Sequence, residues 1–327
     1  MSRIAVVGAG MAGLAAARSL TARGHEVTVF EKSRGFGGRC ATRWIGDYRF
    51  DTGATFITPD GHALGQVMQT ELPTEGLIQI EKPMFKCSKG RVMSGEVQHP
   101  TPRRFCYQSG INELGKRLAE GLSVHRETRI ESVARDGKGF EVQGQGYDGV
   151  IFAIPLPQAQ ALLERVCPAR AWPVVRYRKC LSVLLGFDHR IEVPYHGLVD
   201  PQQDEPIAWI SFEHEKVPHG RAPEGHMALV VQLNERTSDL KYERDAEAIV
   251  HDLLVDLRRM FPVLKDPVAS DVMRWRYSHA IGTVGLQSLN RGEDPLILTG
   301  DMISGARAHL AFDAGLAAAE ELMARLG

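Results

Sequence analysis

This chain of 327 residues is short of several things, and each shortage removes a class of protein. It has five cysteines, Cys40, Cys87, Cys106, Cys167 and Cys180, an odd number with no CxxC pair. That speaks against a disulfide framework or a thiolate zinc site and fits a reducing cytoplasm. No unbroken apolar run approaches the roughly 20 residues that span a bilayer. The apolar opening resembles a secretory leader, but Gly8, Gly10 and Gly13 interrupt it and a second apolar run, Val27 to Phe30, follows. A leader's core is continuous and ends in a cleavage site, so a soluble, cytoplasmic chain is expected. Neither sign of charge dominates: 39 Lys and Arg stand against 40 Asp and Glu. Nucleic acid and anionic membrane are therefore not expected partners. There is no internal repeat, no low-complexity tract and no G-x-S-x-G elbow. The stretch "FEHEKVPHGRAPEGH" carries His214, His219 and His226, but at no compact ligand spacing. Its prolines and glycines read as an exposed loop, and no metal is expected.

What the chain does have is a patterned start. Ile4 to Val7 is a β-branched strand, "GAGMAG" follows at once, and Met11 to Ala22 is rich in the helix formers alanine and leucine. Gly8 permits the tight turn, Gly10 lets the backbone approach a pyrophosphate, and Gly13 lets the helix pack on the strand. The helix N-terminus then faces the phosphates. A second strand, "HEVTVFE", ends in Glu31, placed to accept hydrogen bonds from a ribose diol. The Glu31 carboxylate would repel a 2'-phosphate, so NADP is disfavoured even with Lys32 and Arg34 nearby.

Chains that bind NAD continue here into another helix and strand. This one gives "KSRGFGGRCATRW" and then "YRFDTGATFIT". Gly35, Gly37 and Gly38 free the backbone to bend round a ligand, and Arg34 and Arg39 suit phosphate. A second phosphate-contacting segment just past the ribose acid points to a flavin dinucleotide. Near the C-terminus, Leu296 to Thr299 is a buried strand with Gly300 and Asp301 at its carboxyl end, where ligands collect in open α/β sheets. An alanine-rich helix is expected from about Phe312 to Leu326. Its N-terminal dipole would favour the negative charge of a reduced flavin.

With "GAGMAG", "EKSRGFGGR", "FDTGATF", "YDGVIFAIPLPQA" (147–159) and "PLILTGDMISGARAHLAFDAGLAAAEEL" (295–322) in view, the chain resembles the amine oxidase-type FAD superfamily. "YQSGINEL" (107–114) and "RWRYSHA" (274–280) are similar to the renalase group within it, its bacterial branch in particular. The resemblance implies an α/β architecture: a Rossmann-like FAD-binding domain with a discontinuous α+β substrate domain, as in p-hydroxybenzoate hydroxylase and amine oxidases. It implies FAD-binding segments 1–58, 107–158 and 280–327, with 59–106 and 159–279 forming the substrate domain. FAD would be held by Gly8, Gly10, Met11, Ala12 and Gly13 at the first turn, and by Glu31 and Lys32 at the ribose. Gly38, Arg39, Ala54 and Thr55 would follow in the second segment. Val133 would meet the adenine, and Gly300, Asp301, Ala311 and Phe312 the ribityl and flavin end. Related enzymes attach flavin through a cysteine near the C-terminal motif. The last cysteine here is Cys180, so non-covalent FAD is implied.

The second domain shows three strand-like runs, "CLSVLLGF", "IAWISFEH" and "HMALVVQL". A helix over 241–261 puts Ala246, Ile249, Leu253, Leu257 and Met260 on one face, with Ser238 and Asp239 as cap groups and Pro262 as its stop. In "RWRYSHA", Trp275, Tyr277 and His279 share a strand parity and form the expected substrate wall; filling of the interdomain core is the alternative. Arg307 and His309 either line the cavity or cap the last helix. The renalase resemblance implies an oxidase of 1,2- or 1,6-dihydro-NAD(P), using O2 and giving NAD(P)+ and H2O2. No catalytic acid or base is needed, since loss of hydride restores an aromatic ring. The competing readings are an amine oxidase, which needs an aromatic cage, and a non-catalytic flavin-binding protein.

Overall fold

The computed structural model describes residues 1–93, 102–137 and 139–327. Part of the turn-rich stretch expected over 59–106, namely 94–101, lies outside the described residues, as does Lys138 at the Asp136–Gly137 turn.

Strand β1 (Arg3–Val7), helix α1 (Met11–Ala22) and strand β2 (Glu26–Phe30) open the chain. β1 lies at the centre of a five-stranded parallel sheet in the order Leu296–Leu298, Gly149–Phe152, β1, β2, Ser123–His125. Alternation along β1 decides its two faces. Ile4 and Val6 enter a core shared with Leu14, Leu118 and Ala318, on α1 and the helices Asn112–Ala119 and Ala308–Leu326. Ala5 and Val7 enter a second core with Phe140, Tyr147 and Leu156, under a three-stranded antiparallel sheet. Both faces are covered, which is why these strands are apolar throughout.

A second, seven-stranded sheet runs in the order Ala269–Ile281, Arg176–Phe187, Met227–Leu233, Ile207–Phe212, Gly197–Val199, Met84–Ser88, Arg91–Met93. The three expected strand runs are three of these. One face packs Leu181, Val183 and Val231 against Ile249, Leu253 and Leu257. The other face meets the hairpin of β3 (Thr42–Ile45) and β4 (Tyr48–Asp51), where Leu184, Ala228 and Val230 bury Tyr48 and Phe50.

Two element boundaries differ from expectation. The single helix over 241–261 is two helices, Glu235–Lys241 and Ala246–Met260. Asn234, not Ser238 or Asp239, caps the first, its side chain accepting from Thr237 N–H at 2.8 Å. Ser238 instead lies inside that helix, where its hydroxyl accepts from Leu181 N–H. The terminal helix starts at Ala308, four residues before Phe312, because the chain turns sharply at Gly305 (φ 113°) and is already extended at Arg307.

Candidate active site

The first turn is built from missing side chains. Gly8 has φ 105°, and a Cβ there would stand 2.8 Å from the Ala153 carbonyl oxygen. A Cβ on Gly13 would stand 1.9 Å from the Gly8 carbonyl oxygen, so α1 rests directly on the turn. Gly10 differs. It precedes α1 in extended conformation, offers no side chain to the first-turn N–H groups, and a Cβ there would meet nothing within 4 Å. That open space before the N–H groups of Met11, Ala12 and Gly13 is the cradle an anionic group needs. Glu31, at the end of β2, is buried. Its Oε2 accepts from Ala9 N–H at 2.8 Å, and its Oε1 from Ser33 N–H and Oγ at 2.8 and 2.7 Å. The carboxylate is thus locked to the turn, and Lys32 beside it is exposed.

The second glycine segment folds onto the first. Gly37 N–H donates to Ala9 C=O at 2.8 Å, and a Cβ on Gly38 would stand 3.2 Å from Gly10 Cα. Gly115, in the helix that follows "YQSGIN", lets that helix close over Gly37. Arg39 Nη1 then donates to Asp301 Oδ2 at 2.7 Å and to Ser278 C=O at 3.0 Å, and Asp301 Oδ2 also accepts from Ala280 N–H. Gly300 (φ 139°) makes the turn that places Asp301 there. One cleft therefore gathers "GAGMAG", "GFGGR" and Gly300–Asp301. Val133 opens the three-stranded sheet and is buried in one core with Phe30, Ala280 and Met302.

Ala54 and Thr55 border the same cleft. Ala54 N–H donates to Arg39 C=O at 3.0 Å. From the large sheet, Trp275 Nε1 donates to Thr52 C=O at 2.9 Å and Gln232 Nε2 to Gly53 C=O at 2.7 Å. Trp275 stands opposite Cys180 and His279 opposite Arg178, so these two share a face. Between them, Arg276, Tyr277 and Ser278 face Lys179 alone. Tyr277 lies in this bulge, edge-on to Tyr177 with ring centroids 5.5 Å apart. Burial pushes the Tyr177 phenol up to about 12, helped by the Asp301 carboxylate. Burial also pushes the His279 imidazole down, and the Arg178 guanidinium adds to it.

Ala311 and Phe312 lie within the last helix, past its free end. Ala311 N–H already donates to Arg307 C=O, and Phe312 is buried in the core. The first turn is Ala308 to Leu310, and there the rings of His309 and His62 lie tilted by 32° with centroids 4.2 Å apart. Arg307 is exposed.

"FEHEKVPHGRAPEGH" is not an exposed loop. Glu213–Lys216 is one buried helical turn, and Arg221 is 1% exposed. Lys216 Nζ lies 2.8 Å from Asp51 Oδ2 and 2.7 Å from Glu213 Oε1. Arg221 Nη2 lies 2.9 Å from Asp51 Oδ2. The stretch is hydrophilic because its charges pair with one another and with the end of β4, with Arg221 Nε and Nη1 left without a hydrogen-bond partner among the described residues. Among the described residues no cluster of His, Cys, Asp and Glu is suited to a metal. Lys216, Gln232 and Tyr177 were not foreseen. The alternation of "HMALVVQL" puts Gln232 on the face of Ala228 and Val230, which is the one signal that pointed to any of them.

Comparison with known proteins agrees with this geometry. The sequence model of a Rossmann-like NAD(P)-binding domain matches residues 6–70, and that of flavin containing amine oxidoreductases matches residues 80–323. The putative flavin-containing monoamine oxidase AofH of Mycobacterium tuberculosis (strain ATCC 25618 / H37Rv) is 49% identical over 69 residues, 21% of this chain and 15% of that protein. A 4,4'-diapophytoene desaturase of Staphylococcus haemolyticus (strain JCSC1435) is 52% identical over 58 residues, 17% and 12% of the two chains. These matches cover only a small part of either relative. A putative protoporphyrinogen oxidase from Exiguobacterium sp. 255-15 superposes with a TM-score of 0.82 at 16% identity, over 98% of this chain and 99% of that one. Putrescine oxidase bound to putrescine superposes with a TM-score of 0.72 at 15% identity, over 99% of both. With a glycine cradle open at Gly10, Glu31 locked beside it, and a family match across three quarters of its length, the chain belongs to the flavin containing amine oxidoreductases.

Proposed function

We propose that this enzyme oxidises dihydronicotinamide nucleotides of the 1,2 or 1,6 form to NAD(P)+, with O2 reduced to H2O2. The observation that carries the reading is the wall made by "RWRYSHA". It offers a fixed indole, an edge-on tyrosine pair and an imidazole whose protonation is disfavoured by burial and by Arg178. Such a wall holds a planar, uncharged ring and takes no proton from it. FAD, when bound, would supply the hydride acceptor and the route of the electron pair to O2. FAD would be held at Gly8 to Gly13, Glu31, Gly38, Arg39, Ala54, Thr55 and Gly300–Asp301, without a covalent link. Burial pushes the nearby Cys40 thiol up to about 12, which unfits it as an attaching nucleophile. In this reading Trp275 and His279 orient the ring and exclude water, and aromatisation of the nicotinamide drives the step with no general base.

Oxidation of an amine is the second reading. The family match and the perpendicular Tyr177–Tyr277 pair favour it.

Anaerobic mixing of the yellow protein with each class separates the two. The 1,2- or 1,6-dihydro nucleotides should bleach the flavin quickly. Ordinary 1,4-NAD(P)H should be on the order of 100-fold slower or worse, because its hydride is displaced by more than about 1 Å in the same pose. The rate should vary little with pH near neutrality. In air, about one H2O2 should form per substrate. Fast bleaching by simple amines, with none by either isomer, would transfer the assignment to the second reading.

A further inference from the structure

We propose that Lys216 is a positioning residue for FAD, acting through the segment Thr52–Phe56 from a fully buried four-charge joint. Three carbonyls of this segment are taken by side chains of the large-sheet half. Thr52 C=O accepts from Trp275, Gly53 C=O from Gln232, and Thr55 C=O from Lys216 Nζ at 2.8 Å. In a trans peptide the following N–H points the opposite way. The N–H groups of Gly53, Ala54 and Phe56 therefore face the other side. Ala54 N–H shows which side that is, since it reaches Arg39 C=O in the second glycine segment. Those of Gly53 and Phe56 have no partner among the described residues. Both residues are partly exposed, and in this proposal their two N–H donors meet the acceptor edge of the cofactor.

The joint removes slack from this arrangement. The side chains of Asp51, Glu213, Lys216 and Arg221 are all 0% exposed in their ion pairs. Asp51 Oδ1 accepts from Ile111 N–H at 2.9 Å and Thr42 Oγ1 at 2.8 Å. Glu213 accepts from Ser211 Oγ at 2.7 Å and Asp51 N–H at 3.1 Å. Arg221 also donates to Tyr107 C=O at 2.8 Å. The joint thus ties the end of β4, the "YQSGIN" turn and the large sheet to one point. Four buried charges carry a desolvation cost that apolar packing avoids, and a unique placement is what they supply in exchange. A carbonyl alone needs only an ordinary donor; a carbonyl whose neighbours must present donors to a ligand needs a fixed one.

The test needs FAD and no substrate, so it stands apart from the choice between nucleotide and amine. FAD is titrated into apo-protein of the parent, K216M, K216R and Q232L, and the visible spectrum and midpoint potential of the bound flavin are read beside the melting temperature. K216M and Q232L should each weaken FAD by about tenfold and shift the flavin band and potential. K216R, which keeps a charged donor, should stay nearer the parent. Q232L frees one carbonyl without exposing a buried charge, so it decides the matter if K216M does not fold. Folded K216M or Q232L with the parent's FAD affinity, spectrum and potential, and a lower melting temperature only, would overturn the proposal.

Discussion

Two regions converge on the cleft by opposite means. The first turn and the second glycine segment are made of what is absent: a Cβ on Gly13, Gly115 or Gly315 would strike backbone at 1.9 to 2.6 Å. The joint beneath Thr52–Phe56 is made of long charged side chains with no solvent around them. The first region sets spacing by letting backbones touch. The second sets it by charge-assisted hydrogen bonds that tolerate one arrangement. Backbone contact is indifferent to pH and salt. A charged joint holds only while its members stay ionised.

The sharpest way to test the contrast is inside the glycine region. G315A places a methyl 2.1 Å from Ala12 C=O, where α1 and the last helix meet, and must push them apart. We expect a loss of about 3 kcal/mol or more in urea unfolding, with FAD binding lost alongside. At Gly10 a Cβ meets no atom within 4 Å and φ is −78°, open to any residue, so in G10V apo-protein stability should stay near the parent's while FAD affinity drops by several kcal/mol. Equal FAD affinity in G10V and the parent would remove Gly10 from the cradle.

Gly8, Gly10 and Gly13 were legible because their spacing is local: a turn, a cap and a close contact all fall within six residues, whereas Gly115 and Gly315 meet partners far away in the chain. The strands were legible by apolar runs, and Glu31 by its distance from the turn. The joint was not. Glu213, Lys216 and Arg221 look like a solvated loop until Asp51, about 160 residues earlier, is folded against them. The bulge at Tyr277 was hidden for a related reason. Strand parity assumes one residue against one, and here three stand against one. The last helix starts at Ala308 rather than near Phe312, because the chain is already extended at Arg307 after its turn at Gly305.

A smaller effect bears on the ribose end. E31A removes an acceptor that Ala9 and Ser33 already use, so the turn should loosen as well as the proposed ribose contact. FAD affinity should fall by about 1–3 kcal/mol, less than in G10V, by equilibrium titration. A fall larger than that of G10V would mean that the carboxylate, not the open glycine, organises the site.

The smallest effect is a pH dependence on the charged side alone. Burial works to raise Glu215, but hydrogen bonds from His214 and Lys82 override it and bring the carboxyl down to about 2. Its folded value lies below its unfolded one, so its contribution is complete above pH about 4.5 and is lost as pH falls towards 2. Screened at the protein edge, this amounts to about 1–2 kcal/mol. Acid unfolding of E215Q should be flatter than the parent's across that window, and parallel curves would detach Glu215 from acid stability.

The order of strands in the parallel sheet has a kinetic side. β1 is flanked by β2 and by Gly149–Phe152, and the strand beyond, Leu296–Leu298, comes from near the other end of the chain. Ala12 and Gly315 touch across about 300 intervening residues. A ribosome has released almost all of these residues before the edge strand and the helix bearing Gly315 exist to be used. Until then α1 presents Leu14, Ala15 and Ala16 with part of their packing surface unmade. The nascent chain therefore carries a half-formed nucleotide fold for most of its synthesis, and that interval is when it is most open to aggregation and has most use for a chaperone.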